Sequence, residues 1–352
     1  MAPATDWPAA ATNWREQVPD GEPALLEALA DQLAALQRKS ARGGKASRAL
    51  HAKGNVGVRA TFEVRGDLPE HAKVALFAQP GTYATLVRFS NGASARQADR
   101  KPDVRGVALK LLGVPGKKLI PGMEDATTQD FLLIRNPVAP FRNPSEFVGL
   151  VTALASPLGG LPRFIGQFGL GRTVGLVRAL LRGFKEPNHS LATAPMWSAL
   201  PIQLGPYAVR FALRPHLPPA LTASPNDLGA ELAAQLRAGP VAYDFQLQFF
   251  VNEAITPIED PSVDWAEVHA PYVTVARLTL SQQDVDSAEG RALADQIEAL
   301  SFDPWHALAE LKPLGAMMRA RNAAYRVSTR ARHAAPEPTD LAELRSTGTS
   351  AR

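Results

Sequence analysis

The stretch ATLVRFSNGASARQADRKPDVRGVALKLL, residues 84–112, holds two short apolar runs on either side of a polar segment. The runs are ATLVRFS (84–90) and VRGVALKLL (104–112), and Asn, Gly, Asp and Pro lie between them. Short runs rich in β-branched or aromatic residues and bounded by turn formers read as strands. The same signature marks VGVRATFEV (56–64), QDFLLIRN (129–136), YAVRFALR (207–214), VAYDFQLQFFV (241–251) and YVTVARLTL (272–280). Seven or eight such strands without alternating long helices favour an antiparallel barrel over a doubly wound α/β sheet. The expected class is α+β, an antiparallel β-barrel of about eight strands with helices added to it.

Three helical regions flank or interrupt the strands. Glu22–Leu36 places Leu25, Leu26, Leu29, Leu33 and Leu36 at helical spacing and predicts an amphipathic helix before the main domain. An Arg/Gly-rich linker follows, which makes residues 1–47 an N-terminal helix and linker and 48–333 the main domain. A Gly-punctuated helical insertion is expected over about 144–188. From Phe147 to Lys185 it holds no acid but five bases, Arg163, Arg172, Arg178, Arg182 and Lys185. A membrane-surface contact is one reading of that composition; packing of the insertion on the barrel is the favoured one. Two further helices are expected over Ala288–Leu300 and Leu314–Arg332, and the segment from Ala334 onward is expected to be mobile.

Composition narrows the chemistry. The 352 residues include no cysteine, which rules out disulfides, thiolate nucleophiles and cysteine metal sites. The formal net charge of +4 is small for this length and spread along the chain, so nucleic-acid binding is not expected. The N-terminal segment lacks the pattern of a secretory signal, and no apolar run reaches the ~18 residues of a membrane span; a cytoplasmic protein is expected. Among the seven histidines no HxxxH or HExxH spacing occurs, so a histidine metal site has no support.

Two local patterns carry chemistry. In RARNAAYR (319–326), Arg321 and Tyr325 stand i, i+4 on a helix, which puts a guanidinium beside a phenol oxygen. A free tyrosine ionises near ~10, and an adjacent cation favours its phenolate, a hard anionic ligand for ferric iron. In RALHAKG (48–54), His51 sits among small residues just before the first strand, where a neutral imidazole can relay a proton. Taken singly, an ordinary helix-surface pair and an ordinary loop histidine are the better readings of these residues.

Five blocks in order carry more. RALHAKG (48–54) with VRATFEV (58–64), LVRFSNG (86–92), DVRGVALKLL (103–112), QDFLLIRNPVAPF (129–141) and RARNAAYR (319–326) together resemble the haem catalase superfamily, in particular its small catalase-related peroxidases. The resemblance implies a catalase-like barrel with C-terminal helices that ligate haem b through iron. It implies Tyr325 as the iron ligand, Arg321 as partner of the tyrosinate, His51 as the distal acid/base and Ser90 as the group fixing its tautomer. Arg48 and Arg88 would pair with haem propionates or the buried cavity wall, and Phe141 would lie above the porphyrin. The position of the family's distal asparagine falls on Thr127, whose shorter hydroxyl favours peroxidase over catalase turnover.

The implied activity is a haem-dependent peroxidase reducing hydrogen peroxide or organic hydroperoxides with a small-molecule donor, with weak catalase activity, in a homo-oligomer. A haem-dependent isomerase or lyase of fatty-acid hydroperoxides is the enzymatic alternative. A haem-binding barrel without turnover and a scaffold without haem are the others. The basic insertion would suit an amphipathic anion such as a fatty-acid hydroperoxide, held by Arg178 and Arg182.

Overall fold

The computed structural model describes residues 10–40, 48–94, 96–156, 159–183, 190–217 and 227–342. The linker around 41–47, Lys185 and the terminal residues 343–352 lie outside the described residues, and so does the side chain of Arg182.

Nine strands form one sheet. They are β1 (Lys53–Val64), β2 (Gly81–Asn91), β3 (Arg105–Leu111), β4 (Gln129–Ile134), β5 (Met196–Trp197), β6 (Ile202–Leu204), β7 (Tyr207–Pro215), β8 (Val241–Phe249) and β9 (Tyr272–Leu280). The order is β5-β4-β3-β2-β1-β9-β8-β7-β6, and β5 also pairs with β7 through Met196 opposite Leu213 and Trp197 opposite Ala212. That second pairing closes an eight-stranded antiparallel barrel, and β6 extends β7 outside the closure. Closure leaves none of the eight with an open edge. The seven strands read in the sequence are all present. The two-residue β5 and three-residue β6 carry too little pattern to read; helix α5 (Leu228–Ala238) is not among the expected helices, although its Asp227 cap and the four-residue spacing of Leu228, Leu232 and Leu236 mark it.

The two-residue alternation of a strand separates the barrel into a filled interior and an outer face. Val87 and Phe89 of β2 point inward with Val107, Leu109 and Leu111 of β3. The interior is packed with phenylalanine: Phe62 meets Phe245 at 5.1 Å between ring centroids, and Phe131 meets Phe211 at 5.2 Å. The intervening residues, Arg88 and Ser90 among them, therefore face outward, and it is this outer face of β1–β4 that the helices cover.

The helices are α1 (Glu22–Ser40), α2 (Pro144–Leu154), α3 (Gly160–Phe168), α4 (Leu170–Gly183), α5, α6 (Ala288–Ala299) and α7 (Ala316–Arg332). Short polar side chains start three of them. Asn143 Oδ1 accepts from Glu146 N at 3.0 Å, Asp227 Oδ1 from Ala230 N at 3.0 Å, and Ser287 Oγ from Gly290 N at 2.9 Å. Helix α6 lies on β1 where Gly57 has no side chain; a Cβ there would come within 3.2 Å of Ala294 Cα and of Ile297. Leu293, Ile297 and Leu300 then pack with Leu86, Leu112 and Phe302 on the outer face.

Two expectations are corrected. The N-terminal helix does not merely precede the domain: Leu26 and Leu29 of α1 pack with Val148 of α2 and Ala320 of α7. The described part of the C-terminal segment is docked, because Ala335 N donates to Ala299 O at 3.0 Å and Leu341 packs on the α6 cluster. No helix among the described residues is long and apolar enough to cross a membrane.

Candidate functional site

His51 stands immediately before β1 in the left-handed region, with φ of 54°. A non-glycine residue there costs on the order of 1 kcal/mol or more and persists only when its surroundings over-determine it. Here they do. His51 N donates to Gly92 O at 3.0 Å, its carbonyl accepts from Arg88 at 3.0 Å, and Nδ1 lies 3.0 Å from Ser90 Oγ. The ring lies against the backbone of Gly106 on β3, where a Cβ would come within 2.7 Å of His51 Cε1. Gly106 pairs with Ser90, so one rung of the β2–β3 ladder sets both the wall behind the imidazole and the hydroxyl beside it. Burial first, then the charges of Arg88, Arg321 and Arg48, push the imidazole down to about 3, so it is neutral throughout the physiological range.

The same outer face gathers three arginines around one carboxylate. Arg88 Nε donates to Glu298 Oε2 at 2.7 Å, and Arg48 pairs with Glu298 Oε1 while donating to Glu298 O at 3.0 Å and Leu300 O at 2.8 Å. Arg332, at the end of α7, acts electrostatically on the same carboxylate. Burial would raise Glu298, yet Arg88 and Arg48 hold it below the usual carboxylate range. The anionic partner that the two strand arginines need is thus supplied within the chain, by a residue the sequence reading did not single out. One carboxylate does not neutralise three guanidinium groups, and Arg332 Nε is buried with no hydrogen-bond partner. That surplus is suited to further carboxylates.

Helix α7 carries the third group. Arg321 donates to Tyr325 Oη at 3.0 Å, with its guanidinium 5.2 Å from the ring centroid. Met318, Arg321, Tyr325 and Arg332 share one face of the helix, at successive steps of three, four and seven residues. The opposite face, with Ala323, Arg326, Val327 and Arg330, meets Glu27, Ala30 and Asp31 of α1 across a cleft of about 310 Å³ that takes no part in this group. Helix α7 starts under firm control: Arg319 binds Glu16 at 2.5 Å, Glu22 at 2.6 Å and Glu259 at 3.1 Å. The electrostatic reach of Tyr325 to Arg48, and of Arg321 to His51, places the tyrosine, the histidine and the arginine cluster around one region between the barrel wall and α7.

Beyond that region lies a buried charged cluster. Lys110 of β3, fully buried, pairs with Asp130 of β4 at 2.8 Å and with Glu337 of the C-terminal segment. Thr128 Oγ1 donates to Glu337 at 2.7 Å, and His306 Nδ1 lies 3.3 Å from Asp130 and 3.2 Å from Glu337. Asp130, His306 and Glu337 together have the geometry of a metal triad. The Lys110 ammonium already stands among them, and it is the cation that this cluster holds. Burial raises the neighbouring Asp303 carboxyl to about 6.

Three sequence-predicted residues stand elsewhere. Thr127 precedes β4 and its carbonyl accepts from Val114 N at 2.8 Å. Its end of β4 pairs with Leu111, five residues along β3 from the Gly106 against which His51 lies, about 16 Å of strand. The structure does not bring Thr127 to the His51–Ser90 pair. Phe141 is buried against Leu150, Phe164 and Leu176 of the insertion and meets Phe147 edge-on at 5.1 Å. Arg178, expected to hold an anionic substrate, is exposed on α4.

The geometry can be set beside known proteins. A family model described as catalase matches residues 9–153, the span from before α1 to the end of α2. The chain is 29% identical over 312 residues to a protein of Mycolicibacterium paratuberculosis (strain ATCC BAA-968 / K-10) described as a catalase-related peroxidase, covering 81% of this chain and 88% of that one. Among solved structures, a fungal catalase superposes with a TM-score of 0.67 at 19% identity, over 97% of this chain and 69% of its own. Catalase A from Saccharomyces cerevisiae does so with 0.67 at 18% identity, over 97% and 71%. At these identities the two structures speak for the fold alone. That fold is the closed barrel with its helices arranged on the outside.

Proposed function

We propose that the chain, which is similar to catalases over residues 9–153 and to a catalase-related peroxidase over most of its length, is a haem-dependent peroxidase of the haem catalase superfamily that reduces hydrogen peroxide or organic hydroperoxides at the expense of a small-molecule donor. The observation that carries the reading is the convergence of a neutral His51 braced by Ser90, an Arg321–Tyr325 pair, and an arginine cluster with charge to spare. Haem fits that donor set. Tyr325 would hold the iron, Arg321 would donate to its phenol oxygen, and Arg48, Arg88 and Arg332 would receive propionates alongside Glu298. Tyrosinate is the axial ligand that catalases use.

The chemistry the group supplies when bound is the two-electron cleavage of the peroxide O–O bond. The chain's own residues handle the proton. For His51 Nε2 to act as a base, Nδ1 must carry the hydrogen and donate it to Ser90 Oγ, which is the contact observed at 3.0 Å. Nε2 then takes the proton from the near peroxide oxygen and delivers it to the far one, which leaves as water or alcohol. A base already protonated at neutral pH could not start this relay. The depression of His51 to about 3 keeps it free, and the three guanidinium groups that cause part of it also disfavour an imidazolium as a resting state.

Thr127 has no part in this relay. The reading therefore favours peroxidase turnover, with weak catalase activity beside it, because the residue at the position of the family's distal asparagine is Thr127 and it stands away from His51. A cytoplasmic place of action accompanies the reading. The test is an absorption spectrum of haem-reconstituted protein beside Tyr325→Phe, before and after hydrogen peroxide. A high-spin ferric tyrosinate spectrum that is lost in the variant, and a peroxide-induced species that organic donors discharge, are expected. Stoichiometric haem binding with a spectrum indifferent to Tyr325 would overturn the ligand assignment.

A further inference from the structure

The α2–α4 insertion does not pack as its composition led us to expect. Its inner side closes a small core of Phe141, Leu150, Phe164 and Leu176. Its outer side is left open. Of the ten exposed large hydrophobic side chains among the described residues, six lie between Leu154 and Leu181, which makes the exposure a property of this face and not of the surface at large. On α4 the exposed residues are Leu170 (64%), Val174 (39%), Val177 (40%) and Leu181 (56%). Their spacing of four, three and four residues draws one straight apolar stripe along the helix. Leu154 and Leu161 stand exposed at the junction of α2 and α3.

Charge decides what covers this stripe. Arg178 is exposed beside it on α4, and Arg163 is exposed on α3 of the same insertion. Arg172 is already bound to Glu146, at 2.7 Å from Nε to Oε1, and Glu146 is the acid nearest before a segment that has none from Phe147 to Lys185. A second copy of the chain would lay this cationic rim against its own like charges, and four part-exposed side chains fall short of the ~800 Å² per partner of a standard interface. An apolar stripe on a segment that carries cations and no acid from Phe147 to Lys185 complements an anionic lipid surface instead.

We propose that the outer face of α3 and α4 docks the protein on an anionic lipid bilayer, with Leu170, Val174, Val177 and Leu181 entering the interface and Arg163 and Arg178 meeting the headgroups. The docking stands on this face alone and does not depend on haem. It would place a peroxide-reducing site beside the membrane, where apolar hydroperoxides accumulate.

Co-sedimentation of the full chain with phosphatidylglycerol-containing vesicles, beside vesicles of phosphatidylcholine alone, tests it. Binding to the anionic vesicles is expected, weakened as salt rises from about 0.05 to 0.5 M. Val174→Ser with Leu181→Ser should lower the partition coefficient by about tenfold or more on both lipids. Arg163→Glu with Arg178→Glu should lower it by about tenfold on the anionic vesicles alone. Both variants should melt with the wild type, since the altered side chains are exposed; a lowered melting temperature would mean that the stripe is packed within the fold and would overturn the proposal. So would an absence of binding at low salt. A dimer in sedimentation velocity that Val174→Ser with Leu181→Ser dissociates would assign the face to a second copy instead.

Discussion

At the scale of single residues, the site works by holding charge states away from where solvent would leave them. Burial, and then the charges of Arg88 and Arg48 among others, keep His51 neutral, and the same two guanidinium groups help hold Glu298 ionised, which couples proton relay to anion binding. Ser90→Ala removes the acceptor for the Nδ1 hydrogen while leaving the ring against Gly106. We expect haem content to be unchanged and kcat to fall roughly tenfold, part of the 10²–10⁴ that positioned acid–base catalysis contributes; equal rates would mean that the tautomer is fixed elsewhere. Asp303 makes the opposite case. Its carboxyl titrates near 3.8 when unfolded and is raised by burial to about 6 in the fold. A raised acid favours the folded state least once both forms are ionised, so stability falls as pH rises from about 4 to 6 and stays lowered above. The shift is worth about 3 kcal/mol at most. Asp303→Asn, which keeps the neutral form, should therefore stabilise the protein by about 1–3 kcal/mol at pH 7–8 and leave it unchanged near pH 4. Thermal melts across that range check the sign, and a uniform effect would contradict it.

At the scale of elements, what the sequence made legible and what it hid follow from the range of the interactions. The seven long strands declared themselves because two-residue alternation and turn formers are local, and helices α6 and α7 because 3.6-residue periodicity is. The Arg321–Tyr325 contact was legible for the same reason, since both ends sit on one helix. Glu298 was not, because a glutamate on an amphipathic helix carries no mark of meeting Arg48 some 250 positions away. Glu337 was hidden likewise, in a polar Pro-containing segment whose composition says mobile while its carboxylate is buried against Lys110. The consequence is measurable. Lys110 is the cation for Asp130 and Glu337 together, and removing one partner of a buried ion cluster leaves uncompensated charge. Lys110→Met should destabilise the protein by about 3–5 kcal/mol in denaturant unfolding and release the segment after Arg332 to limited proteolysis. Retained protection of that segment would mean that Leu341 and Ala335 hold it without the ion pair.

At the scale of the whole molecule, the core and the site are built on opposite faces of the same strands. Inward residues of β1–β4 belong to a phenylalanine-filled barrel, and outward ones to the region between barrel and α7. The barrel is complete in itself, closed by the β5–β7 pairing and packed to its centre, so its stability does not wait on a cofactor. The outer region has a different balance. There, three arginines share one carboxylate, and α7 is held at its start by Glu16, Glu22 and Glu259. Haem binding would thus add to the stability of a structure already folded. A ligand that binds only the native state, at a thousandfold excess over its Kd, contributes about 4 kcal/mol. For a chain of this size that raises Tm by several degrees, with no change in the far-ultraviolet circular dichroism. Calorimetry of the haem-free and haem-loaded protein checks this. An apo form that binds a hydrophobic dye and melts without cooperativity would show instead that α6 and α7 settle on the barrel only around the cofactor, and that the arginine cluster needs more than Glu298 to be held together.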